Sequence, residues 1–249
     1  MAESVIEIRN LTLSIWDKII LDNVNMEIEK GKITSIVGES GSGKSTTVSA
    51  ILGILPKGTL VSEESRVEFN GKNIFSIYQD PMNSFNPSIK VGTQLYNMAE
   101  GYVDISKEDF YKQIEEIMIR IRLRNPKEIL DKYPFELSGG MLQRLMIATA
   151  IFVKPDLIIA DEPTTALDVS VQKEIIREFR AINAEYGMSI IVVTHDFGVV
   201  AELADQVVIM QKGKVKETGD VFTIFDNPKE DYTKRLLKAS FRFEKEDRL

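Results

Sequence analysis

The sequence predicts an α/β fold built around a mainly parallel sheet, because short apolar runs alternate with helical stretches along the chain. Several of these runs are apolar throughout and lack the polar alternation of a strand that faces water on one side. Strands of this kind are covered by helices on both faces, as in parallel sheets. The predicted strands are residues 5–8, 33–37, 157–160, 190–194 and 207–210, and residues 169–185 form one of the predicted helices.

Residues 91–131 differ from the rest of the chain, because no strand pattern occurs there. Phe110, Ile114, Ile117 and Ile121 recur at four- and three-residue steps, which is one face of an amphipathic helix. We interpret this region as part of a helical subdomain inserted into the core; the alternative is one more crossover helix.

The predicted single domain, residues 1–249, divides into a core of residues 1–79 and 155–225, a helical subdomain of residues 80–154, and a C-terminal helix and tail of residues 226–249, with a surface helix at 229–238.

The composition is that of an ordinary globular protein, with 43% hydrophobic and 28% charged residues among 249. A net charge of −7 argues against a general affinity for nucleic acid, which needs clustered Lys and Arg. Because there is no cysteine, disulfides and thiolate metal sites are excluded. We expect neither a secretory signal nor a membrane span, since the longest apolar runs are far shorter than the ~20 residues that a bilayer requires. Any role at a membrane would therefore depend on a partner protein.

Residues 38–45 read Gly-Glu-Ser-Gly-Ser-Gly-Lys-Ser, which matches the phosphate-loop pattern G-x-x-x-x-G-K-[ST] between a predicted strand and a predicted helix. Glycines let the backbone approach phosphate oxygens closely, and successive N–H groups at a helix start attract them. The Lys44 ammonium would reach the β- and γ-phosphates, and the Ser45 hydroxyl would bind Mg²⁺. The predicted ATP-binding residues of this loop are Gly38, Glu39, Ser40, Gly41, Ser42, Gly43, Lys44, Ser45 and Thr46.

Two carboxylates, Asp161 and Glu162, follow the third predicted strand, and His195 follows the fourth. The carboxyl ends of parallel strands share one edge of the sheet, where ligands bind in such folds. Asp161 is expected to hold Mg²⁺, and Glu162 to polarise the attacking water. His195, the only histidine, and Gln79, after a shorter strand-like run, are candidates for ordering the γ-phosphate, although a lone His or Gln is more often structural. An acidic pair can also be a solvated turn or a helix cap, so the phosphate loop is what favours the catalytic interpretation.

Together with Leu-Ser-Gly-Gly-Met-Leu-Gln at residues 137–143, these residues make the chain resemble the ATP-binding-cassette (ABC) ATPase family over essentially its whole length. From the residues alone, Ser138 and two glycines precede a predicted helix and form a second helix start suited to an anion; the alternative is a simple N-cap. The resemblance implies the ABC ATPase fold, with a small antiparallel β subdomain at the N-terminus and ATP held between two subunits. The phosphate loop of one subunit would face Ser138, Gly139, Gly140 and Met141 of the other.

The resemblance also implies roles for residues outside these motifs. Trp16 matches the aromatic residue that stacks on adenine, although a partly buried core tryptophan is an equal alternative. Gln79 matches the loop that contacts Mg²⁺ and the membrane subunit, and His195 matches the switch histidine. Residues 166–168 read Ala-Leu-Asp and match the loop that meets the partner subunit, in which Asp168 is the dimer-loop residue.

Finer features resemble one subgroup of the family. Residues 78–87 are similar to the dipeptide, oligopeptide and nickel importers, as is Asn227-Pro228 followed by Tyr232-Thr233. Residues 133–144 resemble the nickel-importer subunits most, since peptide importers usually carry a basic residue where this chain has Leu142. Two departures weaken any inference about substrate. The connection between residues 71 and 79 is short, which predicts a trimmed sheet edge, and no cysteine-containing C-terminal extension is found.

The resemblance thus implies an ATPase subunit, with ATP and Mg²⁺ as cofactors, that powers import of nickel, another metal complex or short peptides across the bacterial inner membrane. The implied partners are a second, unlike ABC ATPase subunit, two membrane-spanning permease subunits and an extracytoplasmic substrate-binding protein, and the implied location is peripheral, on the cytoplasmic face.

The main alternative is a soluble ABC ATPase of DNA repair or chromosome maintenance, but residues 46–137 carry neither the heptads nor the cysteines of its inserts. A module that binds ATP without hydrolysing it would lack Glu162 or His195, and both are present.

Overall fold

The structure is a computed structural model that describes residues 3–165 and 168–246, with side chains described up to residue 240. Its strands are β1 (Ser4–Ile15), β2 (Lys18–Glu29), β3 (Ile33–Val37), β4 (Thr59–Val61), β5 (Arg66–Phe69), β6 (Ile74–Ile77), β7 (Leu157–Asp161), β8 (Ser189–Thr194), β9 (Gln206–Gln211) and β10 (Lys214–Asp220). Its helices are α1 (Lys44–Ile51), α2 (Pro81–Ser84), α3 (Val91–Glu100), α4 (Lys107–Arg120), α5 (Pro126–Leu130), α6 (Gly139–Val153), α7 (Val169–Tyr186), α8 (Phe197–Leu203), α9 (Val221–Asp226) and α10 (Asp231–Glu246), and a 3₁₀ turn covers Pro134–Glu136.

Six strands form the main sheet in the order β10-β9-β3-β8-β7-β6. The strands from β9 to β6 run parallel, and β10 is antiparallel to β9. Both faces of this sheet are buried, since Ile158 and Ala160 of β7 pack into one apolar cluster, and Leu157 and Ile159 pack into another. A strand buried on both faces has no position for a polar residue, which is why these runs do not alternate in the sequence. The predicted α/β fold with a mainly parallel sheet is confirmed.

The N-terminal part forms a second sheet of β2-β1-β4, with β5 also pairing with β1, and all of these pairs are antiparallel. The antiparallel subdomain that the family resemblance implies is therefore confirmed. The strand predicted at residues 5–8 is too short, because β1 continues for 12 residues. The register shifts in several places between Ile8 and Ser14, and such irregularities interrupt the alternation that marks a strand in a sequence. The buried face of this sheet covers the main sheet together with α1.

A run of helices, α2 to α6, separates β6 from β7, although these two strands are neighbours in the sheet. The predicted apolar face of α4 is confirmed, because Phe110 and Ile114 are fully buried, Ile121 is nearly so, and Ile117 is partly buried. More than one crossover helix therefore joins β6 to β7, as the proposed insertion requires. The division of the chain at residues 80 and 154 stays a prediction.

The C-terminal helices pack at the end of the main sheet that carries the first glycine-rich loop. Val37, the last residue of β3, shares an apolar cluster with Phe197 of α8, Ile224 of α9, and Tyr232 and Leu237 of α10. The helix predicted at 229–238 is thus only partly a surface helix, because one of its faces is buried. Within the described ranges, no helix is both long enough and apolar enough to cross a membrane.

Candidate functional site

The chemically equipped residues converge at one edge of the main sheet, where its parallel strands end. β3 pairs with β8 so that Val37 is opposite Thr194, and β8 pairs with β7 so that Val193 is opposite Asp161. The residues that follow these strand ends in the chain are therefore neighbours in space. Fold topology alone brings the glycine-rich loop, the carboxylate pair and the histidine together, as expected for the carboxyl edge of a parallel sheet.

The glycine-rich loop at 38–43 depends on two of its glycines. At Gly38 a Cβ atom would lie 2.3 Å from the Met210 carbonyl oxygen, so no side chain fits there. Gly43 has a φ of +106°, which residues with side chains resist, and a Cβ there would lie 2.6 Å from Leu21 Cδ2. The Ser42 hydroxyl is buried and has no hydrogen-bond partner among the described residues. The loop is held closely against β9 and β2, with its backbone N–H groups at the start of α1.

Lys44, the first residue of α1, folds back over this loop. Its ammonium donates to Gly38 O at 2.7 Å and to Glu39 O at 3.0 Å, and only 8% of the residue is exposed. Burial lowers the pKa of Lys44, whereas the nearby carboxylates of Glu162 and Asp161 raise it. A partly dehydrated ammonium held by two neutral carbonyls gains strongly from an anionic oxygen, because charge-assisted hydrogen bonds are about twice as strong as neutral ones.

An open cleft of about 840 Å³ lies over the loop, within the range of ordinary ligand sites. Residues 38–41 and 43–46 form its floor, and Gln79, Glu162 and His195 line it as well. The predicted loop residues and the predicted catalytic residues thus share one cavity. Ser42 is the member of the predicted set that lies behind the loop instead of lining the cleft.

Glu162 is the centre of a hydrogen-bond network in this cleft. Its Oε2 accepts from Gln79 Nε2 at 2.9 Å and from the Thr165 hydroxyl at 2.9 Å, and its Oε1 lies 3.1 Å from His195 Nδ1. The backbone is fixed too, since Glu162 has a φ of +45° and donates its N–H to Val193 O at 2.8 Å. Positive φ is uncommon for a residue with a side chain and is often found where a site requires a set orientation. The carboxylate is therefore held in place by three side chains.

Asp161 lies beside this network and nearer the loop. Burial raises the pKa of Asp161 and the neighbouring Glu162 adds to this effect, while Lys44 and a hydrogen bond from the Ser45 hydroxyl lower it. The carboxylate and the hydroxyl are therefore adjacent, and both are oxygen ligands of the kind that Mg²⁺ prefers. In the described part of the chain, no group of three or more His, Asp and Glu side chains could hold a metal ion. The residues fit a Mg²⁺ ion that takes its remaining ligands from phosphate and water.

The second glycine-rich helix start, which we call the signature turn (residues 138–141), lies outside this cleft. Ser138 caps α6, because its hydroxyl accepts a hydrogen bond from Met141 N at 3.3 Å, and it is exposed. A Cβ on Gly140 would lie 2.9 Å from Val171 Cγ1, so α6 approaches α7 closely here. The N-cap considered as the alternative is thus present, and the exposed turn does not line the cleft of its own chain.

Trp16 and Asp168 are likewise outside the cleft. Trp16 forms the β1–β2 turn and is 78% exposed, so the alternative of a core tryptophan is wrong. Asp168 caps α7, since its carboxylate accepts from Ser170 N and Val171 N, each at 3.0 Å. The hydrogen bond from the Ser170 hydroxyl is the main reason that the pKa of Asp168 lies below its usual value. Ala166 and Leu167 of the predicted dimer loop lie outside the described residues.

Sequence analysis missed several residues that line or support the cleft. Thr165, three positions after Glu162, offered only a hydroxyl in a Thr-Thr pair, which is a weak signal. Phe197, Leu236 and Ser240 line the cleft from α8 and α10. In the sequence, Tyr232 is marked only by the subgroup resemblance, yet its hydroxyl accepts a hydrogen bond from the Glu39 N–H of the phosphate loop. Contacts that span the length of the chain leave no local pattern to detect.

This edge of the sheet suits a polyphosphate, because N–H groups and an ammonium form its floor while a fixed carboxylate stands across from them. By fold and site, the molecule is a phosphate-loop nucleoside-triphosphate-binding protein.

Comparison with known proteins agrees with this assignment to the phosphate-loop proteins. The family model described as ABC transporter matches residues 21–165. The metal-staphylopine import system ATP-binding protein of Staphylococcus aureus (strain Mu50) is 38% identical over 95% of this chain and 93% of its own length. The oligopeptide transport ATP-binding protein of Bacillus subtilis (strain 168) is 41% identical over 87% of this chain and 65% of its own length. The solved structure of cbiO1 from Clostridium perfringens, part of the ABC transporter complex cbiONQ, has a TM-score of 0.76 and 26% identity, covering 97% of this chain and 99% of that one.

The chain belongs to the ABC transporter family. It is an ATP-binding subunit with ABC transporter ATPase activity, as predicted, and its fold is the ABC ATPase fold. The predicted subgroup was that of the dipeptide, oligopeptide and nickel importers, and the comparisons confirm it as the subgroup of peptide, opine and nickel importers. A placement with the nickel importers stays a prediction. The chain spans 42% and 47% of the length of two curated relatives, so some relatives are about twice as long.

Proposed function

We propose that this chain hydrolyses Mg·ATP to drive import of a metal complex or a short peptide through a bacterial inner-membrane transporter. The observation that carries the proposal is the Glu162 carboxylate, held by Gln79, Thr165 and His195 in the same cleft as Lys44. A fixed carboxylate beside a phosphate loop is what activation of a water molecule needs.

The roles of the site residues follow from their positions. Lys44 and the loop N–H groups bind the phosphates, and Ser45 and Asp161 hold Mg²⁺, with Gln79 in reach of the same cleft. Mg²⁺, when bound, neutralises charge on the phosphates. Glu162 accepts the proton of the attacking water. His195 and Gln79 orient that carboxylate and the water beside the γ-phosphate, because each already contacts one carboxylate oxygen.

The signature turn is proposed to act on a second subunit. Ser138 is exposed and outside its own chain's cleft, while the N–H groups at the start of α6 are suited to a phosphate. Two subunits facing each other would each complete the other's site, with Asp168 at the contact and Trp16 against the adenine ring. Closure on ATP and reopening after hydrolysis would then move two permease subunits between their two states.

The transported substrate is inferred from the relatives. Their names record metal–staphylopine import and oligopeptide transport, which supports a metal complex or a short peptide as the cargo. The proposal of nickel as the first metal to test rests only on the resemblance of residues 133–144 to the nickel-importer subunits. The proposed partners are an unlike ABC ATPase subunit, two permease subunits and an extracytoplasmic binding protein, with this chain peripheral on the cytoplasmic face. Uptake of nickel and of a dipeptide, each measured in a strain lacking the gene, separates the two cargoes. A chain that remains off membranes when its permeases are co-expressed would contradict the transport role.

Glu162→Gln tests the catalytic assignment. The amide oxygen can still accept from Gln79 and Thr165 with little change in shape, whereas the amide nitrogen on the His195 side can only donate. Because the amide cannot take a proton, we expect Mg·ATP to bind normally and turnover to fall about 10²–10⁴-fold. Steady-state phosphate release by the assembled transporter measures the loss. Glu64→Gln makes the same chemical change at an exposed glutamate between β4 and β5 and should keep full activity. Normal turnover in Glu162→Gln would show that another group is the base.

A further inference from the structure

The start of the C-terminal helix α10 is joined directly to the phosphate loop. The Glu39 N–H donates to the Tyr232 hydroxyl at 3.3 Å, across 193 residues of chain. Tyr232 is only 6% exposed and packs with Val37, the residue that leads into the loop. Further along α10, Leu236, Ala239 and Ser240 form one wall of the cleft.

The helix that carries Tyr232 is itself fixed at its N-terminus. Glu217 of β10 is nearly buried, and its carboxylate accepts from Lys229 N at 2.7 Å, from Glu230 N at 3.2 Å and from the Thr233 hydroxyl at 2.6 Å. Although burial raises the pKa of Glu217, these hydrogen bonds outweigh it, so the pKa lies below its usual value. A charged carboxylate at a helix start is favourable, and here it connects α10 to the main sheet. The Tyr232 hydroxyl therefore sits on a rigid support.

The peptide between Gly38 and Glu39 is held from both sides. Lys44 donates to its carbonyl oxygen, Gly38 O, and Tyr232 accepts from its N–H, that of Glu39. The Lys44 ammonium has three N–H donors, two of which bind the carbonyls of Gly38 and Glu39. An anionic phosphate oxygen in the cleft would draw the ammonium away from Gly38 O, because a charged acceptor binds it more strongly than a neutral carbonyl does. When the bond from Lys44 to Gly38 O weakens, the hydrogen bond from the Glu39 N–H to Tyr232 becomes the main one that fixes this peptide. The hydrogen bond to Tyr232 therefore stabilises the chain more when nucleotide is bound than when it is not.

We propose that Tyr232 is a positioning residue, which holds the Gly38–Glu39 peptide in place when Lys44 turns from the loop to the nucleotide. Because the Glu39 N–H donates to Tyr232, this restraint acts on the first peptide of the phosphate loop. The C-terminal helix is in this way part of the nucleotide site. This inference rests on the proposed binding of ATP by the loop.

Tyr232→Phe removes the hydroxyl and keeps the ring in its apolar cluster, so the fold should be retained. We expect the Kd for Mg·ATP, measured by titration calorimetry on the full chain, to rise about fivefold, which corresponds to the ~1 kcal/mol of one neutral hydrogen bond. In the assembled transporter KM should rise by a similar factor while kcat changes less than twofold. Amide exchange of Glu39, followed by NMR with Mg·ATP bound, should become faster.

The matched control is Tyr102→Phe, which likewise removes one hydrogen bond between a tyrosine hydroxyl and the backbone but lies outside the cleft. The Tyr102 hydroxyl donates to Ile74 O at 2.9 Å, whereas the Tyr232 hydroxyl accepts from the Glu39 N–H. Both variants should lose similar thermal stability, and only Tyr232→Phe should weaken nucleotide binding. An unchanged Kd and an unchanged Glu39 exchange rate in Tyr232→Phe would overturn the inference while leaving the proposed function intact. If the unmodified chain fails to bind Mg·ATP at all, the proposed function fails, and this inference with it.

Discussion

The two glycine-rich helix starts of this molecule have similar sequences and opposite surroundings. The first, at Gly43 and Lys44, has no side-chain cap; the buried Lys44 side chain folds back over it, and an open cleft lies above it. The second, at Ser138, is capped by its own serine and is exposed. The N–H groups at the start of α1 thus face a cavity, whereas those at the start of α6 lie outside it, near the surface.

The difference supports the proposal that two subunits share one ATP site. At α1 the chain supplies the Lys44 ammonium and backbone N–H groups for a phosphate, together with the proposed Mg²⁺ ligands Ser45 and Asp161 and the proposed base Glu162. At α6 it supplies only N–H groups and a hydroxyl, which cannot hold a phosphate in water unaided. The role proposed for the second helix start therefore requires a second subunit that brings a nucleotide to it.

The largest effect should come from removing the charge at the first helix start. Lys44→Ala leaves a buried loop without its ammonium, and we expect the Kd of the isolated chain for Mg·ATP to rise about 10²–10³-fold, since desolvated charged hydrogen bonds are the strong ones. Titration calorimetry measures this loss. Lys72→Ala, at an exposed lysine before β6, should bind as the unmodified chain does. Equal affinity in Lys44→Ala would mean that the loop is not the phosphate site.

A smaller but more selective effect is expected at the second helix start. Ser138→Asp keeps an N-cap but adds a negative charge where a partner's phosphate should lie, so ATPase activity of the assembled transporter should fall about 100-fold. Nucleotide affinity of the isolated chain should be unaffected. Ser138→Asn keeps a neutral cap and is the matched control, for which we expect a much smaller loss. If Ser138→Asp hydrolyses ATP normally, the proposed contact between subunits is wrong.

The smallest effect concerns how the helix of the signature turn is anchored. Arg144 of α6 forms ion pairs with Glu174 and Glu178 of α7. Burial raises the pKa of Glu178 from its ordinary 4.5 to about 7, although Arg144 and Arg122 lower it. Between these values the folded chain keeps a proton that the unfolded chain has lost, so stability should decrease as pH rises from about 4.5 to 7, by at most ~3 kcal/mol.

We expect the unmodified chain to melt several degrees lower at pH 8 than at pH 5. In Glu178→Gln this difference in melting temperature should be smaller, because the amide does not titrate. Thermal unfolding of the two chains across this range measures it, with Glu64→Gln as the control that keeps the pH dependence. A melting temperature of the unmodified chain that does not change with pH would show that Glu178 is ionised throughout.

Motif-bearing parts of the site could be predicted because their function depends on neighbours in the chain. The phosphate loop needs glycines at set spacing before Lys44, and strands 33–37, 157–160 and 190–194 were found within one residue because buried strands have no polar positions. Strand β1 was found only in part, since bulges between Ile8 and Ser14 break its alternation. β2 was not predicted, although Val24, Met26 and Ile28 are buried and alternate with polar residues, which is the pattern of a strand with one face in water.

The sequence by itself determined the class of chemistry, through residues 38–45 and the pair Asp161–Glu162, because phosphate binding and water activation each require particular side chains in short segments. Only the tertiary structure decided which groups hold Glu162, how far Trp16 is exposed, and that Tyr232 reaches the phosphate loop. The contacts made by Gln79, His195 and Tyr232 join residues from 33 to 193 positions apart, and the exposure of Trp16 depends on what covers a surface. Sheet order and helix packing set such distances, and no local pattern of residues encodes them.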